Sequence, residues 1–406
     1  MTIELPADTG AKPDGWDDKR QSAGGAAAWA IGFWIWPDKA EQTMTVNHDA
    51  VWAALKTVQD PEIFKDIVSL NMVKDAAISG GQVTVSVELT TPACPMRDRI
   101  RQDVTAAVSG VPGVTEVKVN FSANVRGVDQ VKNLLPGVRN VIAVGAGKGG
   151  VGKSTMAVSI AAGLSMQGAK VGLLDGDVYG PSIPTMTGLG TQSPALRGEQ
   201  IVPFRVGPAA NPLRVMSIGF IVPKEKALIW RGPMVHGVIR QFLEQVLWEE
   251  LDYLVVDLPP GTGDVSLTLA QSIGLTGAVI VATPQEVALM DARRAVRMFQ
   301  QLGVSILGVV ENMSAFICEH GTQYDIFGRG GARTMAAEMG LPFLGDVPID
   351  MSIRKQSDAG DPFANLAGDS PVARSLTSIV QNLAGQISIR NLTRPAGKAI
   401  KLDITA

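Results

Sequence analysis

The sequence predicts an α/β protein in which a mostly parallel sheet is covered by helices on both faces and preceded by a small α+β domain. Three observations predict this. From Asn140 onward, apolar runs of strand length alternate with helical patterns, and continuously apolar strands separated by helices form parallel sheets buried on both sides. A glycine-rich turn, GKGGVGKST at Gly147–Thr155, joins the first such run to a helical pattern. Before residue 122 the strands instead alternate apolar and polar residues, as half-buried strands do. The chain has 406 residues, enough for about two to three domains.

Composition narrows the function classes. Thirty-six Lys and Arg against 39 Asp and Glu give a net charge of −3, which argues against a protein that grips nucleic acid by its phosphates. Two Cys exclude a disulfide framework and fit a reducing compartment, the cytoplasm. No apolar run reaches the roughly 18 residues that span a bilayer. The nearest, Ala26–Trp36, follows an Asp- and Gly-rich segment rather than a basic one and precedes no small-residue cleavage site, so no secretory signal is expected.

Along the chain, residues 1–43 read as an irregular extension holding Trp16, Trp29, Trp34 and Trp36. Helical periodicity begins only after Met44, the expected natural start. Residues 44–121 form the small α+β domain. Asn47 or Asp49 can cap a helix carrying Val51, Trp52, Leu55 and Val58, stopped by Asp60-Pro61-Glu62. Gly80-Gly81 is a turn before the alternating strand Val83, Val85, Val87 and Leu89. A helix over Met96–Val108 and a strand through Val114, Val117 and Val119 follow. Residues 122–139 read as a polar linker ending in Pro136-Gly137. Residues 140–385 carry strands at Val141–Val144, Val171–Leu174, Leu213–Ile218, Tyr253–Val256, Ala278–Ala282, Ile306–Val310 and Phe343–Val347, with helices such as Lys153–Met166, Val235–Trp248 and Val287–Leu302 between them. Residues 386–406 form a tail.

Ligands of such sheets sit at the carboxyl ends of the strands, and the motifs lie there. The turn at Gly147–Thr155 between strand and helix turns backbone N–H groups toward phosphate oxygens, with the helix dipole adding to the field. Gly147, Gly149, Gly150, Val151, Gly152 and Thr155 supply backbone, Lys153 reaches the β- and γ-phosphates, and Ser154 ligates Mg²⁺. Asp175 and Asp177 follow one strand and Asp257 another. Such aspartates are often helix caps, but two beside a phosphate loop favour a catalytic reading. Asp175 is expected near the metal.

The second lysine of the loop, Lys148, makes the pattern K-G-G-x-G-K-[ST] resemble the deviant Walker A box of the ParA/MinD class of P-loop ATPases. That resemblance implies a nucleotide-sandwiched homodimer in which Lys148 acts across the interface as an arginine finger does. It further implies that Asp177 orients the attacking water, that Asp257 holds Mg²⁺ through water, and that Asn312 reads the adenine edge. Within the class, DVYGPSIP, WRGPM at Trp230–Met234, DLPPGTGD, ENMSAFIC and IFGRGGA at Ile326–Ala332 resemble the Mrp/ApbC iron–sulfur cluster carriers. The segment VQDPEIFKDIVSLNMV with LTTPACP at Leu89–Pro95 is similar to the metal–sulfur assembly domain often fused ahead of that ATPase. The implied activity is ATP hydrolysis coupled to carriage of a cluster, 4Fe-4S by resemblance, to apo iron–sulfur proteins.

One departure stands out. Where those carriers present C-x-x-C, this chain reads Ile317-Cys318-Glu319-His320-Gly321, one thiolate per subunit. Neutral imidazole can replace thiolate on iron, so Cys318 and His320 from two subunits could form a Cys₂His₂ site, with Cys94 an alternative or transient thiolate. The alternative is a buried, inert Cys318 and a surface His320; His48 and His236 read as structural or solvent-facing. Two other function classes stay open: a positioning or partition ATPase, and a cluster-less scaffold. Against the former, no membrane or nucleic-acid partner is expected: Arg390, Arg394, Lys398 and Lys401 recur at helical spacing, but Pro395 and Gly397 would break a membrane-binding helix.

Overall fold

The computed structural model describes residues 45–127, 135, 137–190, 192–221, 242–318 and 320–393. The expected extension, the motif at 230–234, His236, most of the helix expected over 235–248 and the basic positions after Thr393 lie outside them.

The small domain is built as the alternation predicts, with one strand more. Helix α1 (His48–Leu55) is capped by Asn47, whose side chain accepts the Asp49 N–H at 2.8 Å. It stops before Val58 because Asp60 organises a turn of its own, its Oδ1 accepting the N–H groups of Glu62 and Ile63 at 2.9 Å. Strand β1 (Val73–Ser79) runs antiparallel to β2 (Gln82–Leu89) through Gly80-Gly81. It escapes sequence detection because Lys74 and Asp75 interrupt its apolar pattern, at a register shift between Val73 and Asp75. Helix α2 (Arg97–Ser109) crosses to β3 (Glu116–Ala123), which lies parallel to β2. Val51, Leu55, Val83, Val85, Val87, Ile100 and Val104 are fully buried in a core separate from that of the main sheet.

The main sheet grows from β4 (Val138–Ala146), which runs into the phosphate loop and α3 (Lys153–Met166). Then come β5 (Val171–Asp175), the one-turn α4 (Ile183–Met186), the small hairpin β6 (Leu196–Arg197) and β7 (Gln200–Ile201), β8 (Phe204–Val206) and β9 (Leu213–Ser217). After them follow β10 (Leu251–Asp257), α5 (Asp264–Ser272), β11 (Gly277–Ala282), α6 (Glu286–Gln301), β12 (Ile306–Ile317) and β13 (Gln323–Tyr324). The fold closes with α7 (Gly331–Glu338), β14 (Phe343–Ile349), α8 (Met351–Ala359) and α9 (Pro371–Thr393). From β12 the strand order is β12–β11–β4–β10–β5–β9–β8, with β14 and β13 both pairing β12. All pairs are parallel except β8–β9 and β12–β13. Helix α3 is buried almost all round, as a helix between sheet and a second helix layer must be.

Two expected boundaries are corrected. The described ends of the segment expected as a linker are pinned: β3 extends into it to Ala123, the Arg126 carbonyl accepts from Asn140 and Asn391, and Arg139 donates to the Val125 carbonyl. The expected tail begins inside α9, where Ile387 and Ser388 are buried. Ser388 donates its hydroxyl to Thr90 of the small domain at 2.8 Å, and Tyr253 donates to Thr91 at 3.0 Å in a fully buried contact. Tyr253 sits level with Asn140 and Val171, near the amino ends of the central strands. The small domain therefore docks on the edge of the sheet opposite the phosphate loop.

Candidate functional site

The phosphate loop lies at the carboxyl end of β4, between its neighbours β10 and β11. Gly147 admits no side chain, because a Cβ there would lie 2.1 Å from the Asp291 backbone on α6. Gly152 takes φ +82, a left-handed conformation that favours glycine. As the N-cap of α3 it offers no side-chain cap, leaving the first N–H groups of the helix for an anion. Gly149 and Gly150 are exposed at the loop's crest, Val151 is buried beneath it, and Ser154 and Thr155 are half-buried on the first turn.

Lys153 is buried against acids. Its Nζ lies 2.6 Å from Asp257 Oδ1 and 3.6 Å from Asp177 Oδ2, and donates to Ser154 Oγ at 3.2 Å. Burial pushes the Asp257 carboxyl up, against the pull of the Lys153 ammonium. Among the described residues Asp257 Oδ2 is buried with no well-formed hydrogen bond, the Ser154 hydroxyl being its nearest polar neighbour. This orphaned carboxylate oxygen beside the Ser154 hydroxyl and an uncapped helix suits a hydrated divalent cation with phosphate. Asp177 turns its other oxygen onto the Tyr179 and Gly180 N–H groups, both at 3.3 Å. Lys148 is half-buried and makes no ion pair among the described residues.

Asp175, expected near the metal, is held by the protein itself. Both of its oxygens are already engaged, Oδ1 by the Asp177 N–H at 3.2 Å and Oδ2 by the Ile183 N–H at 3.2 Å and the Ser217 hydroxyl at 2.9 Å. Burial, and then the nearby Asp257, push its carboxyl up to about 7. Asp175 shapes the loop that carries Asp177.

Asn312, expected at the adenine edge, touches the phosphate loop. The strand Ile306–Val310 continues through it to Ile317, and its Nδ2 donates to the Val151 carbonyl of the phosphate loop at 2.9 Å. Beside it, Glu311 is 1% exposed and accepts the Gly330 and Ala332 N–H groups, both at 2.8 Å. This carboxylate caps α7 and ties the Gly330 turn of IFGRGGA to the strand, a role sequence reasoning missed. The signal was the acid itself, standing at the end of an apolar strand.

The two thiols differ. Cys318 follows β12 at the tip of a ribbon closed by the Cys318 N–H on the Thr322 carbonyl and the Gly321 N–H on the Cys318 carbonyl. It is half-exposed, and hydrogen bonds from the His320 backbone and then from Thr322 hold its thiol below the usual range. His320 is exposed beside it, and Ile317, Tyr324, Ile326 and Phe327 present apolar surface around it. Among the described residues no three His, Cys, Asp or Glu converge on a metal position. Cys94 packs against the small-domain core, and burial pushes its thiol up to about 11. It belongs to the domain docked at the amino edge of the sheet, whereas Cys318 lies beyond the carboxyl end of a twelve-residue strand. At about 3.3 Å per residue that strand is itself roughly 40 Å long. Cys94, expected as an alternative or transient thiolate, thus sits in a different domain from Cys318.

Comparison with known proteins matches residues 137–384 to the NUBPL iron-transfer P-loop NTPase model and residues 48–119 to that of an iron-sulfur cluster assembly protein. An iron-sulfur cluster carrier protein from Deinococcus radiodurans is 50% identical over 348 residues, covering 85% of this chain and 97% of the relative. One from Synechocystis is 48% identical over 356 residues, covering 85% and 99%. A solved nucleotide-binding protein from Archaeoglobus fulgidus, in complex with ADP, is 40% identical with a TM-score of 0.52, covering 59% of this chain and 94% of that one. Among the described residues no helix is long and apolar enough to cross a membrane.

Proposed function

Because the chain belongs to the NUBPL iron-transfer P-loop NTPase family, we propose that it is an ATP-hydrolysing carrier that holds an iron–sulfur cluster at Cys318 and passes it to apo iron–sulfur proteins. The observation that supports this most is positional. The phosphate loop follows β4 and Cys318 follows β12, and β4, β11 and β12 are mutually parallel, so both groups occupy the carboxyl edge of one sheet.

The working form is a homodimer in a reducing, cytosolic setting. The apolar rim of Ile317, Tyr324, Ile326 and Phe327 beside Cys318 is surface that a second copy would cover. One thiolate per chain is too few for a cluster, and a twofold axis at the ribbon doubles it. His320 supplies the neutral imidazoles that complete a Cys₂His₂ set. On nucleotide binding Lys153 exchanges its carboxylate contacts for phosphate oxygens, and Lys148 of each chain neutralises charge at the other's phosphates. Asp177, held by the Tyr179 and Gly180 N–H groups, orients the attacking water. Ser154 and, through water, Asp257 would hold Mg²⁺, which when bound neutralises phosphate charge. Hydrolysis drives opening only to the extent that nucleotide prefers the closed dimer.

Anaerobic reconstitution with iron and sulfide tests the reading. A broad visible absorption band is expected in the wild type, lost in Cys318→Ala and retained in Cys94→Ala. An unchanged band in Cys318→Ala would remove that residue from the site.

A further inference from the structure

Strand β3 ends the small sheet: the order is β1–β2–β3, and among the described residues no strand pairs with its far side. A free strand edge offers backbone N–H and carbonyl groups to another extended chain. Glu116, Lys118, Asn120 and Ser122 are exposed along it, and its eight residues run for about 26 Å. Its carboxyl end opens into a cleft of about 490 Å³, walled on the other side by Arg139, Gly168 and Lys170 at the amino edge of the main sheet. The acids here are compensated. Asp252 accepts from Arg139 at 3.2 Å and from the Lys170 N–H at 2.9 Å. Glu250 lies 3.8 Å from the Lys170 ammonium, and Glu116 lies 3.4 Å from that of Lys118. Arg97 and Arg101 on α2 are left over. Their guanidinium carbons sit 5.3 and 5.0 Å from the centroid of one ring, that of Phe121. Neither makes an ion pair among the described residues, whereas Arg99 between them pairs with Asp103 at 2.9 Å. Arg101 also donates to the Val119 carbonyl at 3.4 Å, which sets its charge on the strand itself.

We propose that the free edge of β3 docks an extended, acidic segment of a partner protein, whose backbone adds a strand while its carboxylates meet Arg97 and Arg101. Two like charges held over one ring repel each other, and a carboxylate shared between them relieves that cost; the planar guanidinium fork suits this contact. The length of the edge decides against a small anion, which would use the arginines and leave the strand bare. Main-chain pairing supplies affinity, and the side chains on one face of the added strand supply charge selection. Because the whole chain carries −3, it repels an acidic segment elsewhere, and the local excess of positive charge guides it to this groove. The groove lies at the amino edge, opposite the phosphate loop and Cys318, so a segment held there leaves both open. Neither of those groups takes part, so the docking edge and the carrier reading can fail separately.

Fluorescence anisotropy of the full-length chain tests this with a labelled peptide of alternating glutamate and threonine, as long as β3. The peptide should bind and slow amide exchange over Glu116–Ala123, and a lysine–threonine peptide of equal length should not bind. Arg97→Gln combined with Arg101→Gln should weaken binding by about tenfold or more, with exchange in β1 and β2 and nucleotide affinity as in the wild type. A glutamate–threonine peptide N-methylated along its backbone keeps its charge but cannot pair as a strand, and it should also bind about tenfold more weakly. That comparison is made on the wild type and holds even where the double variant fails to fold. No binding of the glutamate peptide, undiminished binding by a folded double variant, or equal binding of the lysine or N-methylated peptide overturns the docking edge. Inorganic phosphate that displaces the peptide at equal concentration also overturns it, reducing the groove to a small-anion site. Each of these failures leaves cluster reconstitution at Cys318 untouched.

Discussion

Lys153 and Cys318 share one edge of one sheet, but their surroundings have little in common. Lys153 lies in a buried nest where two carboxylates, a hydroxyl and a helix end converge. Cys318 hangs on a narrow ribbon, half-exposed, with backbone N–H groups and one hydroxyl for company. The nest gathers all its buried groups from one chain, because a phosphate site needs many donors in fixed positions, and only Lys148 is asked to come from a second copy. The ribbon is incomplete within one chain, and its apolar rim and single thiol both call for a second copy. Substitutions in the nest should therefore damage the monomer's chemistry outright, while those on the ribbon should leave the fold and nucleotide site intact.

The largest expected effect is that of Lys153→Ala. It should abolish nucleotide binding, and by leaving Asp257 buried without its counter-charge it should cost about 3 kcal/mol of stability, read as a lowered melting temperature. Lys148→Ala sharpens the contrast, since it should leave nucleotide affinity nearly unchanged while hydrolysis falls by roughly 10³-fold. Equal hydrolysis rates would defeat the trans-acting lysine.

The thiols come next. A thiol pushed up to about 11 from its ordinary 9.0 holds about a hundredfold less thiolate below pH 9, so Cys318 should alkylate at least that much faster than Cys94. Comparable rates in the Cys94→Ser and Cys318→Ser single-thiol proteins would erase the distinction between buried and presented sulfur.

Asp175 gives the nest a pH signature. Its carboxyl is raised from 3.8 to about 7, so between those values the folded chain holds a proton that the unfolded chain has released. Its contribution to stability is full below about pH 4 and is lost as pH rises through about 7. Melting temperatures measured from pH 5 to 8 should show this decline in the wild type and a flatter profile in Asp175→Asn. The smallest effect belongs to Tyr253→Phe, which removes the buried bond to Thr91 and should cost about 1 kcal/mol in chemical denaturation, with nucleotide affinity unmoved.

The same contrast governs what the sequence discloses. The nest was legible because its signals are local: a glycine turn between an apolar strand and a helix, and acids at strand ends. The strands of the parallel sheet were legible because burial on both faces leaves unbroken apolar runs. Features set by tertiary contact were not. Strand β12 passes through Glu311, Asn312 and Ser314, which read as the end of a strand until their partners on α7, the phosphate loop and β14 are seen. Strand β1 hides behind Lys74 and Asp75. Helix α9 continues past residue 385 because Ile387 and Ser388 are buried, Ser388 against the small domain, a contact nearly three hundred residues distant in sequence. Asp175 and Asp177 look equivalent as letters, yet the first bonds its own loop and Ser217 while the second reaches Lys153. The bond from the Asn312 amide to the Val151 carbonyl joins positions 161 residues apart, which no local spacing announces.

Native mass spectrometry of anaerobically prepared protein with MgATP tests the account most directly. It predicts a species of two chains carrying one cluster, with Cys318→Ala giving two chains and nucleotide but no cluster. A cluster bound to a single chain, or one still held by the Cys318→Ala dimer, would contradict it.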